Sequence, residues 1–458
     1  MAITFILYSE SKETLLKRTK ESSQFTIVGP SFSTLREPNS KVCPEMKKIP
    51  NYYHGIVSKK DNEFEVAKRV AAMGTPISSE ELIKDVYRGQ YKRLGLVGGA
   101  GFGKTTVLKE FSQKLMALNE RKEYECDLEE RSMVVFLDAK NVTPEESTTL
   151  EEILFEQVEA DGRKCLLKWV EQNQSKVTIL LDGLDQSNWP TDEPYKNVKW
   201  DKKASTGTLL YNLMSKNIFP NVTLVVTSRE NAMTTLPETA RPEAIVALAG
   251  LRKEDAITLL SELLGGVSNK IYQSIKNLNL ITIPIYVIFT AAVCKFCAEE
   301  DDKMPEYASG LLAKILEMSI RSTQMRDTNI EILHKMMSMA FEGMKDRRMI
   351  FKKEHLERHG LTREQVKDIM STVLKKNMHP GDFMEGDLLL IFCHQTLQEF
   401  LSACFISKMN YDDFYSFIQS ELGSADWKYS HWFTVILYLY GIVFNSEVEF
   451  DESLHKGE

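Results

Sequence analysis

The stretch GGAGFGKTT, residues 98–106, holds four glycines, one lysine and two threonines within nine positions. It follows a short apolar run, RLGLV (93–97), that is typical of a strand. It precedes TTVLKEFSQKLMAL (105–118), whose apolar residues recur at helical spacing. The order of strand, glycine-rich turn and helix is what decides the fold class.

The glycines and the lysine of this stretch have the spacing G-x-x-x-x-G-K-[ST], which is typical of a phosphate-binding loop. Glycines let backbone N–H groups surround a phosphate, and the helix N-terminus adds partial positive charge. The lysine of such a loop reaches the β- and γ-phosphates, and the threonine hydroxyl ligates Mg²⁺. A glycine-rich turn without a ligand is the alternative. We predict a nucleotide phosphate site made of Gly98, Gly99, Ala100, Gly101, Phe102, Gly103, Lys104, Thr105 and Thr106.

Further short runs rich in β-branched residues follow, at 132–140, 176–183, 222–229 and 244–250, and helical patterns lie between several of them. Near-continuous apolar strands alternating with helices predict an α/β fold, with a mostly parallel sheet covered by helices on both faces. After about residue 250 the strand signals fade and helical patterns dominate. Residues 1–50 are polar, with prolines at 30, 38, 44 and 50, which indicates a loose leader.

The run at 176–183 leads into the stretch LLDGLDQ, residues 180–186. A phosphate-loop fold needs a carboxylate on a neighbouring strand to hold Mg²⁺, and Asp182 supplies it. Gly183 leaves room beside the phosphates. Asp185 is placed to orient or deprotonate an attacking water, or instead to cap the next helix. Gln186 can position a water but cannot take its proton.

Composition restricts the class of protein further. The chain has 458 residues with 57 basic and 65 acidic side chains, so its net charge of −8 favours neither nucleic acid nor anionic membrane as a partner. Seven scattered cysteines indicate a reducing compartment rather than a disulfide framework. No run is apolar for long enough to predict a spanning helix. We expect a cytoplasmic protein of two to four domains.

The phosphate loop, LLDGLDQ and VVTSRE (225–230), in this order and spacing, resemble the NACHT family of STAND NTPases, which includes the NOD-like receptors. The chain departs from the family pattern at Gln186, where members usually carry Glu. The resemblance implies ATP or ADP with Mg²⁺ as ligands, and it implies that Arg229 senses the γ-phosphate. It also implies that Pro284, in ITIPIYV, packs against the adenine.

Residues 349–370 and 388–406 resemble the winged-helix domain of NOD-like receptors, and there the resemblance implies that His394 contacts the β-phosphate of ADP. The expected organisation is an N-terminal leader without an assigned effector fold (1–60), a helical linker (61–92), a NACHT domain (93–249), a first helical domain (250–305), a winged-helix domain (306–408) and the start of a second helical domain (409–458).

Three functions are consistent with these features. The first is a signalling switch held closed by ADP and opened by ATP, which then self-oligomerises, with the sensed input and the downstream effector unknown. A work-performing ATPase of the AAA+ class is the second, and a scaffold that keeps nucleotide as a structural element is the third. An innate-immune role rests on the resemblance alone.

Two other patterns are discounted. His355 and His359 have metal-capable i,i+4 spacing but lack the Glu of the metalloprotease motif, so a solvated helix face is expected. Cys294 and Cys297 have no second cysteine pair at zinc-finger spacing and are expected to be core cysteines.

Replacing Gln186 by Glu tests whether the glutamine limits hydrolysis. A glutamate can accept the proton of an attacking water, so Gln186→Glu is expected to raise steady-state phosphate release from ATP by about tenfold or more. Gln172→Glu, an equal charge change outside the motif, is the control. If phosphate release in Gln186→Glu equals that of the control, the glutamine is not the limiting feature.

Overall fold

The computed structural model describes residues 43–49, 74–120, 133–139, 147–156, 158–186, 196–229, 232–233, 236–266, 282–300, 302–305, 307–321, 326–346, 348, 351–366, 370–373, 389–392, 395–423 and 431–444. These residues fall into two compact units. The first contains residues 45–99 and 103–249, and the second contains 43–44, 100–102 and everything described from 250 onward.

The first unit is an α/β fold. Its strands are β1 (Met46–Ile49), β2 (Thr75–Ile77), β3 (Arg93–Val97), β4 (Met133–Asp138), β5 (Ser147–Thr148), β6 (Val177–Asp182), β7 (Ala204–Ser205), β8 (Thr223–Ser228) and β9 (Ala244–Leu248). Its helices are α1 (Ser79–Tyr87), α2 (Lys104–Glu120), α3 (Leu150–Phe155), α4 (Ala160–Gln172) and α5 (Thr206–Met214).

Seven strands form the main sheet, in the order β2-β1-β9-β3-β8-β6-β4. From β9 to β4 all neighbours are parallel, and β1 and β2 extend the sheet with antiparallel pairing. The five apolar runs predicted as strands are all strands of this parallel part. Every residue of β3, β6 and β8 is buried, as expected for parallel strands between two helical layers. The predicted mostly parallel α/β sheet is confirmed.

Arg93, the first residue of β3, is only 2% exposed and acts as a clamp. Its guanidinium donates to the carbonyls of Leu213, Phe219, Val222 and Lys92 at 2.6–3.2 Å. Phe219 has a φ of 48°, a left-handed conformation that is costly for a bulky residue. The clamp holds this strained connection between α5 and β8 in place. Burial lowers the pKa of Arg93 to about 10, so it stays charged at neutral pH.

The second unit contains the helices α6 (Lys253–Leu264), α7 (Pro284–Glu299), α8 (Ala308–Arg321), α9 (Arg326–Lys345), α10 (Lys353–Arg358), α11 (Arg363–Val366), α12 (Gln395–Ser407), α13 (Tyr411–Glu421) and α14 (Phe433–Phe444). Helix α6 ends at Gly265, whose left-handed φ of 71° is typical of a glycine that terminates a helix. A small antiparallel sheet has the order β10-β12-β11, with β10 (Phe351–Lys352), β11 (Met370–Val373) and β12 (Leu389–Phe392). The winged-helix region follows the helical one, as expected.

The core of the second unit is built around helix α12, which packs against α9 and α14. Helix α7 joins α14 through the hydroxyls of Tyr286 and Tyr438, which lie 2.6 Å apart in the buried interior. Burial raises the pKa of Tyr286 to about 12, so its hydroxyl keeps its proton and remains a donor. Among the described helices, none has the length and apolarity that a bilayer crossing requires.

Two strands of the main sheet were not predicted. Met46–Ile49 lies in the range expected to be a loose leader, yet it pairs with both β2 and β9. Thr75–Ile77 lies in the range expected to be a helical linker. The linker helix itself is present from Ser79, and it is capped by the Ser78 hydroxyl, which accepts the Glu81 N–H. Such short strands carry little sequence pattern and owe their conformation to their neighbours in the sheet.

Substituting the buried clamp residue tests its structural weight. Arg93→Met keeps the length of the side chain but leaves four carbonyls without their donor, so we expect a loss of about 3 kcal/mol or more in the free energy of unfolding. Urea unfolding followed by tryptophan fluorescence measures this loss. Arg88→Met, at an exposed arginine of the same unit, is the control and should change stability by less than about 0.5 kcal/mol. Equal effects in the two variants would contradict the clamp.

Candidate functional site

The glycine-rich stretch joins β3 to α2, which begins at Lys104, as predicted. Gly103 has a φ of 86°, a left-handed conformation that favours glycine. Thr105 is half-buried and Thr106 exposed in the first turn of α2. The tip of the loop, residues 100–102, is half-buried and groups with the second unit. The backbone therefore has the form of a phosphate-binding loop.

The ammonium group of Lys104 bonds to its own loop. Its Nζ donates to the carbonyl oxygens of Gly98 and Gly99, at 2.7 and 2.9 Å. The loop is also fastened to the sheet, because the Gly98 N–H donates to the Ser228 carbonyl on β8 at 3.3 Å. Lys104, which is predicted to bind phosphates, is thus half-buried and hydrogen-bonded to the same loop that would surround the phosphates.

The carboxylate at the end of β6 is held by a neighbouring hydroxyl. Asp182 is only 3% exposed, and its Oδ1 accepts the hydroxyl of Thr227 at 2.5 Å. The same hydroxyl oxygen accepts the N–H of Gly183 at 2.7 Å. Gly183 has a φ of 75°, so glycine is favoured here by the backbone turn, a reason beyond the clearance predicted from the sequence. Thr227 therefore fixes both the acid and the turn that follows it.

Asp185 forms a two-point contact with Arg229. One carboxylate oxygen accepts the Arg229 backbone N–H at 3.1 Å, and the other lies 3.3 Å from Nε of the same residue. Both side chains are largely buried, with exposed fractions of 7% and 11%. The two residues predicted to act on a water and on the γ-phosphate are therefore partners of each other. Asp185 lies in a short 3₁₀ turn, Leu184–Gln186, and not at the cap of a long helix.

The strand order explains why these residues meet. β8 lies between β3, which carries the phosphate loop, and β6, which carries the acids. Its carboxyl end therefore supplies Thr227 to one side and the Ser228 carbonyl to the other. Ligands of open α/β sheets bind outside the carboxyl ends of the strands, where this group of residues lies.

Two of the predicted nucleotide contacts belong to the second unit. Pro284 is half-buried and is the first residue of α7, where a proline's missing N–H has no cost. Its predicted role against the adenine stays a prediction. His394 lies outside the described residues, and its predicted contact with the β-phosphate also stays a prediction.

One acidic residue at this edge was missed. Asp138 ends β4 and is the direct register partner of Asp182 on β6. It is half-buried. The signal in the sequence was the same as for Asp182, an apolar run that ends in Asp: MVVFLD beside VTILLD.

The two discounted patterns differ in outcome. The cysteines are core residues, as expected, but the side chains of His355 and His359, expected on a solvated helix face, are only 11% and 13% exposed. His355 Nδ1 accepts the Lys352 N–H at 2.8 Å, and His359 Nε2 lies 2.7 Å from a carboxylate oxygen of Glu342. Burial raises the pKa of Cys294 to about 12 and that of Cys297 to about 11, so both thiols stay protonated. Within the described part of the chain, no three His, Cys, Asp or Glu side chains cluster as a self-sufficient metal site.

A cavity of about 660 Å³ lies in the second unit, between α9, the end of α12 and α13. Its lining includes Met337, Phe341, Phe405, Met409 and Phe417. Among the described residues, none of those predicted for the site lines this cavity, and they lie instead at the edge of the main sheet.

The geometry of the loop and sheet agrees with the family comparison. The family model of the NACHT domain matches residues 92–265. This match identifies residues 92–265 as a NACHT domain. A second family model, the NOD2 winged helix domain, matches residues 331–380, within the region expected to be a winged helix. The NACHT match includes every strand of the parallel part of the main sheet. It also includes the candidate site residues from Gly98 to Arg229.

Curated relatives carry the same domain. The "NACHT, LRR and PYD domains-containing protein 1a" of Mus musculus is 25% identical over 321 residues, covering 67% of this chain and 25% of the relative. The "NACHT, LRR and PYD domains-containing protein 1a allele 5" of Rattus norvegicus is 26% identical over 329 residues, covering 67% of this chain and 24% of the relative. The NACHT-domain chain thus spans about a quarter of the length of the curated relatives it matches.

Among solved structures, a signal transduction ATPase with numerous domains (STAND) with a tetratricopeptide repeat sensor, from Pyrococcus horikoshii, is similar to this NACHT-domain chain. The match covers 74% of this chain and 43% of that one, with 11% identity and a TM-score of 0.35.

Removing the hydroxyl of Thr227 tests this site of the NACHT domain with little change in side-chain shape. Thr227→Val keeps the shape but leaves the buried Asp182 and the Gly183 N–H without this partner. We expect a stability loss of about 1–3 kcal/mol and a loss of magnesium dependence in nucleotide binding. Thr223→Val is the matched control at the opposite end of the same strand, where the hydroxyl donates to the Tyr91 carbonyl at 3.1 Å. Thermal unfolding with and without Mg²⁺ and ADP separates the two, and equal magnesium responses would contradict a special role for Thr227.

Proposed function

We propose that this NACHT-domain protein is a nucleotide-controlled signalling switch of the cytoplasm. ADP holds the closed form, and exchange for ATP opens the chain and lets it self-oligomerise. The NACHT match and the relatives named for NACHT, LRR and PYD domains support a NOD-like receptor role in innate-immune or cell-death signalling. The sensed ligand and the downstream effector are left open, and nucleic acid is not an expected partner at a net charge of −8.

The residues at the sheet edge fit a nucleotide with its metal ion. The loop supplies a left-handed glycine at Gly103, a lysine and the N-terminus of a 17-residue helix. The Ser228 hydroxyl is buried without a hydrogen-bond partner among the described residues, beside the strand end to which Gly98 bonds. An unsatisfied buried hydroxyl costs free energy unless a ligand or water meets it. In this proposal Lys104 and the loop N–H groups hold the phosphates, and Thr105 and Asp182 hold Mg²⁺. The metal ion would neutralise phosphate charge.

The observation that supports a nucleotide-dependent switch is the ion pair between Asp185 and Arg229. A triphosphate brings an additional negative charge that the guanidinium can bind, and this charge competes with the Asp185 carboxylate. A diphosphate lacks that group, so the pair can persist beside it. A ligand shifts an equilibrium between two states only by its differential affinity for them. Breaking or keeping this pair supplies such a difference between ATP and ADP.

The same pair also favours slow turnover. Both oxygens of the Asp185 carboxylate already contact Arg229, at 3.1 and 3.3 Å, so the acid is engaged in this pair rather than with an attacking water. Gln186 cannot accept a proton at all. A site of this kind suits a protein that rests in one nucleotide state better than an enzyme that hydrolyses ATP rapidly. Slow ATP hydrolysis that resets the closed state is the expected enzymatic activity.

The decisive experiment identifies the nucleotide that co-purifies with the protein and measures particle mass before and after exchange into ATP. We expect ADP in the monomer and a larger particle with ATP. Lys104→Ala should abolish both the bound nucleotide and the change in mass. His394→Ala should raise the oligomer fraction without any effector. If Lys104→Ala leaves the oligomeric state and signalling untouched, a scaffold is the better description. Rapid phosphate release that is independent of mass would favour a work-performing ATPase.

Removing the charge of Asp185 tests the competition directly. Asp185→Asn releases the guanidinium of Arg229, so the affinity for a non-hydrolysable ATP analogue should rise about three- to tenfold relative to ADP, and oligomers should form at lower ATP concentration. Hydrolysis should fall in the same variant. The control is Asp201→Asn, which removes an exposed aspartate that pairs with Lys202 at 3.4 Å. An unchanged ratio of the two affinities would rule out competition for Arg229.

A further inference from the structure

Three polar residues form a row across the carboxyl edge of the main sheet. β6 and β8 are in register through Leu181 and Val226, and the next residues along, Asp182 and Thr227, meet in a hydrogen bond. On the other side of β6, Asp138 of β4 is paired directly with Asp182. Side chains of directly paired residues project from the same face of a sheet. The Thr227–Asp182 bond demonstrates this for one pair, and Asp138 is the next member of the row.

The row places two carboxylates one strand apart. Neighbouring strands lie about 4.8 Å apart, which brings the two acidic side chains within mutual reach. Asp182 is almost fully buried and Asp138 is half-buried, so water screens their repulsion incompletely. Two like charges held this close favour a cation between them or a shared proton.

The surroundings favour a divalent cation. Helix α2, which begins at Lys104 of the phosphate loop, packs on β4, β6 and β8, the three strands that carry the row. Mg²⁺ keeps several waters and is bound through one or two carboxylates together with substrate phosphates. A pair of carboxylates beside a phosphate loop has this composition.

We propose that Asp138 is a second carboxylate of the divalent-cation site, acting with Asp182, directly or through a metal-bound water. The inference rests on the proposed nucleotide binding and adds a residue to it. Asp185, an acidic residue at the same edge, has a different role, because its carboxylate contacts Arg229 at two points. Position 186, where a further acid would stand in the family pattern, is the neutral Gln186.

The proposal predicts two effects of opposite sign for Asp138→Asn. Without metal, the carboxylate of Asp138 repels the phosphates, so its removal should strengthen ADP binding in EDTA by about two- to fivefold. With metal, the loss of a ligand should weaken the affinity of the protein–ADP complex for Mn²⁺ by about tenfold. A merely structural role for Asp138 would weaken both. The opposite movement of the two affinities is therefore specific to a metal ligand.

The experiment measures ADP affinity in EDTA by calorimetry and the Mn²⁺ affinity of the ADP complex by electron paramagnetic resonance. Asp161→Asn is the matched control, because it removes an exposed aspartate from the first turn of α4 in the same unit. Asp182→Asn is the positive control and should weaken Mn²⁺ binding at least as much as Asp138→Asn.

The outcomes separate the two proposals. If the natural protein does not bind ADP, or if Lys104→Ala binds it equally well, the proposed function fails. If ADP and Mn²⁺ bind as proposed but Asp138→Asn matches Asp161→Asn in both affinities, only the role of Asp138 is overturned. Weakening of both affinities in Asp138→Asn overturns it as well, in favour of a structural role.

Discussion

The hydroxyl of Thr227 joins the parts of this molecule on which everything else at the sheet edge depends. It donates to Asp182 and accepts from Gly183, so one oxygen fixes the buried acid of β6 and the backbone turn that follows it. The turn at Gly183 determines the position of Asp185. On the neighbouring strand, Thr227 is followed by Ser228 and then by Arg229, which contacts Asp185. Because a buried carboxylate without partners is costly, this short bond lets an acid end a strand inside an apolar sheet.

The parallel sheet could be predicted from the sequence because its strands are buried on both faces and are therefore apolar along their whole length. The order of the strands could not. Neighbours along the chain are not always neighbours in the sheet, and β8 lies between β3 and β6 although both precede it. β1 and β2 have four and three residues, too few for a period to be visible, and tertiary pairing decides their conformation.

The candidate site likewise contains some residues that the local sequence predicts and others that only the folded structure brings together. The phosphate loop and Asp182 follow from local spacing, since strand, turn and helix are consecutive in the chain. The Asp185–Arg229 pair joins residues 44 positions apart, and no local pattern indicates it. Asp138 ends a strand as Asp182 does, but only the register of two strands shows that the two acids are adjacent. The roles that depend on the second unit, Pro284 and His394, rest on family resemblance.

The antiparallel extension of the sheet has a consequence for where this domain begins. Strand β1 covers the outer edge of β9, and that edge contains Ile245, Val246 and Ala247, all buried. The family match starts at residue 92, after both added strands. A fragment cut at that boundary would expose an unpaired, apolar strand edge, which is a template for pairing between molecules. A fragment for recombinant expression should therefore start before Met46, because shorter fragments are expected to aggregate.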